Sequence, residues 1–143
     1  MVEIRVRYEG DLRCQAVHGP SGTVLSTDAP VDNQGRGESF SPTDLAATAL
    51  GTCMLTTMGI VAKRHGWSME GATATVEKIM VADPARRIGK LEVKIRMPDR
   101  LDERARETLE RTARTCPVHK NLEASTEIPL VFEWGAEAAK SRT

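Results

Sequence analysis

The stretch SPTDLAATALGTCMLTTMGIVAKRHG, residues 41–66, constrains the fold more than any other part of the chain. Ser41 suits a helix N-cap, Pro42 suits the first helical position, and Asp44 sits three residues after the cap, near the positive helix end. The helix is expected from Pro42 to about Arg64, ending at His65-Gly66. From Leu45 to Ala62 it carries no charge, which approaches the length of a membrane span. Threonines at 48, 52, 56 and 57, glycines at 51 and 59, charged flanks and no second segment of this kind favour the buried centre of a soluble fold.

The rest of the sequence supplies what such a helix packs against. VEIRVRY (2–8) alternates at period two and reads as a strand. An EGD turn leads to LRCQAVH (12–18) as its antiparallel partner, and GPSG (19–22) leads to a third strand, TVLST (23–27). DAPVDNQGRGESF (28–40) reads as a functional or mobile loop. GATATVEKIMVAD (71–83) and RRIGKLEVKIRMP (86–98) read as long strands joined at DPA. A second helix is expected over 102–115, with Leu101, Ala105, Leu109 and Ala113 on one face. A short helical turn follows at 117–122 and a last strand, STEIPLVFEW, at 125–134; residues 136–143 read as a frayed tail. The order implies one domain over 1–143, α+β with mostly antiparallel sheet.

Charge argues against several functions. Twenty basic and twenty acidic side chains cancel, so no electrostatic reason favours nucleic acid or an anionic membrane as partner. MVEIRVRYEG has no apolar stretch of the signal-peptide kind, so a cytoplasmic location is expected. In that reducing setting Cys14, Cys53 and Cys116 are expected to be free, catalytic or buried. They form no CxxC and no Cys/His ligand set, which argues against a structural zinc.

Two of the cysteines carry the chemical question. Cys53 lies mid-helix among Ala49, Leu50, Thr56 and Thr57. It reads either as a small buried hydrophobe or as a nucleophile in a narrow pocket. At Cys116, Pro117 cannot continue the preceding helix but suits the start of the next, which makes Cys116 the expected N-cap of VHKNL. A helix N-terminus and the nearby Arg111, Arg114 and His119 are expected to lower its pKa. The junction therefore reads either as a plain break or as a reactive thiol. Cys14, between Arg13 and Gln15, reads as structural, and His18, His65 and His119 have turn or helix-end explanations.

The run SPTDLAATALGTCMLTTM (41–58) followed by CPVHKNL (116–122) resembles the OsmC/Ohr family of thiol peroxidases, and the order of elements agrees over nearly the whole chain. The resemblance implies an intertwined homodimer with pockets at the subunit interface, Cys53 as peroxidatic cysteine and Cys116 as resolving cysteine. It implies reduction of a hydrophobic organic hydroperoxide through a Cys53 sulfenic acid and a Cys53–Cys116 disulfide. An external dithiol, lipoylated or thioredoxin-like, would restore the thiols, with no metal or organic cofactor. The alternative is a member of the fold that binds a small molecule or senses oxidants without turnover. It is motivated by two departures. The family glutamate ten residues before the peroxidatic cysteine is Thr43 here, with Asp44 and Glu38 nearby; the early turn that supplies the family arginine reads YEGD, leaving Arg7, Arg13 and Arg36 as candidates.

Overall fold

The protein is described by a computed structural model covering residues 1–98 and 101–135. The tail expected to fray lies outside the described residues. Two compact units make up the chain, Met1–Ala46 and Ala47–Thr143.

The first unit is a three-stranded antiparallel sheet, β1 (Ile4–Gly10), β2 (Arg13–His18) and β3 (Val24–Asp28), in that order. The GPSG turn sets the second hairpin so that Arg13 faces Asp28 and Cys14 faces Thr27. The loop after β3 contains a short 3-10 turn, Val31–Asn33, and is tied down by its own backbone. Asp28 N–H donates to Phe40 O at 3.1 Å and Gly37 N–H to Ala29 O at 3.2 Å. Gly35 belongs here because a Cβ at that position would stand 1.8 Å from Ala29 O.

Helix α1 (Pro42–His65) begins with the expected capping box. Asp44 N–H donates to Ser41 Oγ at 3.1 Å and Ser41 N–H donates back to Asp44 Oδ2 at 2.9 Å. It ends at Gly66, whose φ of +71° suits glycine, with Trp67 N–H donating to Ala62 O at 2.9 Å. Length and composition alone would let α1 cross a membrane. Its Ala47, Leu50, Gly51, Met54, Met58 and Ala62 face is instead buried in the second unit. The expectation of an enclosed helix needs correction for the single chain, because Thr48, Thr52, Thr56 and Ile60 remain exposed. They lie on the other side of the helix, four residues apart.

The second unit wraps that buried face. Strands β4 (Thr73–Val81) and β5 (Arg87–Arg96) pair antiparallel, and β6 (Leu130–Glu133) joins the far side of β5. Gly51 allows close approach to β4: a Cβ there would meet Val76 Cγ2 at 3.1 Å. Leu91, Val93 and Ile95 of β5 point inward while Glu92, Lys94 and Arg96 alternate outward. Helix α2 (Glu103–Ala113) is capped by Asp102, whose Oδ1 accepts from Ala105 N–H at 2.8 Å. It buries Ala105, Leu109 and Ala113, as its spacing predicts.

The last strand is shorter than the expected 125–134. Pro129 has no N–H to continue a ladder, so regular pairing starts at Leu130, although Leu91 N–H already reaches Glu127 O at 2.9 Å. β6 runs parallel to β5, the arrangement that a helical crossover permits. The α+β architecture with mainly antiparallel pairing is otherwise as the sequence implies.

Leu109 has no exposed surface and lies in the core cluster shared by α1, β5 and α2. Leu109→Ala is expected to cost about 2–5 kcal/mol of unfolding free energy. A denaturant midpoint unchanged from the parent would show that this face does not carry the second unit.

Candidate functional site: a buried thiol against a half-buried one

Cys116 and Cys53 come together in the second unit. After α2, Arg114 and Thr115 complete the last turn, and Pro117 opens α3 (Pro117–Leu122). Cys116 is the N-cap of α3, with extended backbone at φ −61° and ψ 143°. Its Sγ accepts a hydrogen bond from His119 N–H at 3.3 Å. The side chain is fully buried, in the same cluster as Leu50, Met54, Leu109 and Ala113. Cys53, half-buried on α1, packs against that cluster, and its thiol is close enough to act on Cys116.

The electrostatics of Cys116 correct the sequence expectation. Burial is the largest influence and pushes its pKa up. The His119 N–H pulls the other way, and the neighbouring Cys53 thiol pushes it further up. A helix terminus of one short turn does not overcome desolvation. Burial thus favours the protonated thiol at Cys116. His119 contributes its backbone; its ring Nδ1 stands 3.2 Å from Glu123 Oε2 without hydrogen-bond geometry.

The other candidates fall into separate groups in the first unit. Arg13 is held by two carboxylates, with Nη2 2.6 Å from Glu38 Oε2 and 3.4 Å from Asp28 Oδ2. The Glu38 contact is the main cause that raises its pKa further. Asp28 was not a sequence candidate. It is almost fully buried, accepts Glu38 N–H at 3.0 Å, and that bond is the first cause holding its carboxyl below the usual range. The signal lay in the hairpin, because a four-residue turn over 19–22 already sets Arg13 opposite Asp28. Arg7 has longer contacts, 3.4 Å to Glu9 and 3.5 Å to Gln15, on the exposed β1. Arg36 is exposed on the loop. Thr43 Oγ1 lies 3.2 Å from Ser41 Oγ and Asp44 closes the capping box, so both serve the start of α1. Cys14 is half-buried on β2.

A groove of about 410 Å³ lies on the β4–β5–β6 sheet, lined by Thr75, Glu77, Glu92, Lys94, Arg96 and Val131 among others. Neither Cys53 nor Cys116 lines it.

The OsmC-like protein family profile matches residues 35–131, the span that holds both sulfurs. The chain belongs to the OsmC family. A crystal structure from Psychrobacter arcticus 273-4, provisionally described as an osmotic stress induced and detoxification response protein, is 44% identical. The match covers 93% of this chain and 96% of that one, at a TM-score of 0.88. The fold also matches an organic hydroperoxide resistance protein OsmC from Legionella pneumophila, at 17% identity, coverage of 93% and 96%, and a TM-score of 0.75. An organic hydroperoxide resistance protein from Elizabethkingia anophelis is similar at 14% identity, coverage of 94% and 96%, and a TM-score of 0.76. No match occurs among curated proteins.

The raised Cys116 pKa fixes an order of reactivity. With iodoacetamide on the reduced native protein, Cys53 is expected to be alkylated before Cys116. Cys116 modification should rise only at a pH above that needed in the unfolded chain. The sign for stability follows. The contribution of the buried Cys116 thiol is complete below the unfolded thiol pKa and is lost as pH rises through the higher folded value. Peptide mass mapping that found Cys116 alkylated first at neutral pH would contradict this assignment.

Proposed function

We propose that this OsmC-family protein is a cysteine-based peroxidase that reduces organic hydroperoxides. The observation that carries the reading is a fully buried Cys116 and a half-buried Cys53 packed against one core cluster, with burial raising the Cys116 pKa. The Cys53 thiolate attacks one peroxide oxygen, the O–O bond breaks, and the alkoxide takes a proton and leaves as alcohol. Cys53 is then a sulfenic acid. Cys116 attacks that sulfur, the S–S bond forms, the S–O bond breaks, and water leaves with the Cys116 proton. A dithiol reductant, such as a lipoylated or thioredoxin-like protein, returns both thiols in a reducing, cytoplasmic setting.

The reading takes Arg13 as the first of the candidate arginines to test for a part in thiolate activation. Of the three candidate arginines it alone is clamped by two carboxylates, and Glu38 and Asp28 would take the part of the family glutamate that Thr43 does not fill. It also assigns a second copy of the chain as partner. The support is the uncovered side of α1 at Thr48, Thr52, Thr56 and Ile60, together with Ile4, Val6 and Tyr8 exposed on β1.

Reduced protein mixed with stoichiometric cumene hydroperoxide is expected to lose two hydrogens by mass within seconds, mapped to a Cys53–Cys116 link. Cys53→Ser should abolish peroxide consumption, and Cys116→Ser should stop at a trappable sulfenic acid. Thiols that stay unchanged for minutes would sink the peroxidase reading and favour a ligand-binding member of the fold. Arg13→Ala is expected to lower the second-order rate constant about tenfold or more if the guanidinium takes part in the chemistry. An unchanged constant would remove Arg13 while leaving the thiol chemistry in place. Light scattering should give twice the 15.7 kDa chain mass, and a monomeric mass would refute the assigned partner.

A further inference from the structure

The direction of the Cys116 sulfur is set by the residue that follows it. We infer that Pro117 is a positioning residue for the resolving step, holding Cys116 Sγ aimed at Cys53. The inference rests on the peroxidase reading for its chemistry, while its geometry concerns any bond formed between these two sulfurs. Both residues belong to the second unit, and Cys116 is 0% exposed within its own chain, so a second copy on the uncovered side of α1 does not reach it.

The end of α2 tightens as it approaches Cys116. Arg114 N–H donates to Arg111 O at 3.1 Å, Thr115 N–H to Thr112 O at 2.9 Å and Cys116 N–H to Ala113 O at 3.5 Å, all to the third residue back. The next amide would belong to residue 117, where proline has none. The ring also disfavours helical geometry at Cys116, which takes φ −61° and ψ 143° instead. Its carbonyl then accepts Lys120 N–H at 3.1 Å and its sulfur accepts His119 N–H at 3.3 Å, so both groups serve α3. A sulfur that holds this cap is fixed in direction as well as in place.

Burial alone would not give that direction. In a helix running unbroken through residue 117, Cys116 would stay on the face of α2 that buries Leu109 and Ala113. Its sulfur would lean back towards the preceding turn, as helical side chains do. It would also lose its amides. The Val118 and His119 N–H groups would donate to the carbonyls of Arg114 and Thr115. Here both instead pull the thiol pKa down against the larger effect of burial.

The step that depends on this aim is closure of the disulfide. Cys116 Sγ bonds to the sulfenic sulfur of Cys53, the S–O bond breaks, and water leaves with the Cys116 proton. A sulfur already turned to its target closes without a backbone rearrangement.

Pro117→Ala in the full-length protein tests the role. Pro117→Gly, which frees Cys116 without favouring a continuous helix, is measured beside it, and urea unfolding identifies the variants that fold. Single-turnover mixing with cumene hydroperoxide reads two rate constants, loss of the Cys53 thiol and closure of the disulfide. The first is expected to keep its parent value and the second to fall about tenfold or more. Without peroxide, diamide makes the disulfide. Its equilibrium with reduced and oxidised glutathione gives the effective concentration of Cys116 at Cys53, a quantity independent of access. That value should also fall about tenfold or more. An equal fall in both rate constants would reduce Pro117 to a structural part and overturn the inference, as would a closure rate and an effective concentration equal to the parent's. If hydroperoxide leaves the parent's thiols unchanged, the peroxidase reading fails, while the glutathione equilibrium still decides whether Pro117 aims Cys116.

Discussion

The contact between Cys116 and the Cys53 side of α1 depends on one backbone event, the helix break at Pro117. Without that proline α2 could continue, and residue 116 would be carried on around its axis. The break instead gives Cys116 extended geometry and turns its sulfur into the core, where His119 N–H and the Cys53 thiol meet it. The surrounding packing serves the same end. The Leu109 and Ala113 face of α2 meets the Leu50 and Met54 face of α1 in one cluster, and Cys116 completes it. Packing thus fixes a chemical distance, because close-packed aliphatic groups leave a side chain few alternative positions.

Much of this was legible in the sequence because it is local. Ser41, Pro42 and Asp44 announce the start of α1, Gly66 its end, and the repeat Ala105, Leu109, Ala113 the buried face of α2. Each signal acts within a turn or two of itself, and the structure places all three as the sequence implies. The Pro117 junction belongs to the same class: its consequence for Cys116 follows from the ring's missing N–H.

Less legible was whatever depends on the assembled unit. The acidity of Cys116 was misjudged from the sequence because a short helix terminus and nearby arginines can be read locally, whereas desolvation is a property of the packed core. Desolvation is the larger of the two. The parallel direction of β6 depends on α2 and α3 spanning the sheet, and its late start depends on Pro129, whose place opposite β5 appears only after pairing. Asp28 was overlooked for a different reason. A lone acid at a strand end looks like punctuation until the hairpin register sets it against Arg13 and folds the Glu38 amide onto it.

The burial of Cys116 creates a tension. In the proposed cycle Cys116 must keep its proton while Cys53 meets peroxide, then lose it to attack the sulfenic sulfur. Burial favours the first requirement and opposes the second. Two features of the site ease the second. Both thiols already belong to one packed cluster, so the attack is intramolecular and gains from proximity before any acidity is needed. His119 N–H, fixed by α3, is aimed at the sulfur on which charge would develop. A more exposed Cys116 would ionise more easily, but it would compete with Cys53 for peroxide and could be taken by passing thiols. Holding the second sulfur in the core, with backbone amides at the start of α3 as its polar support, would separate the two roles of the proposed cycle by environment alone, although both residues are the same amino acid.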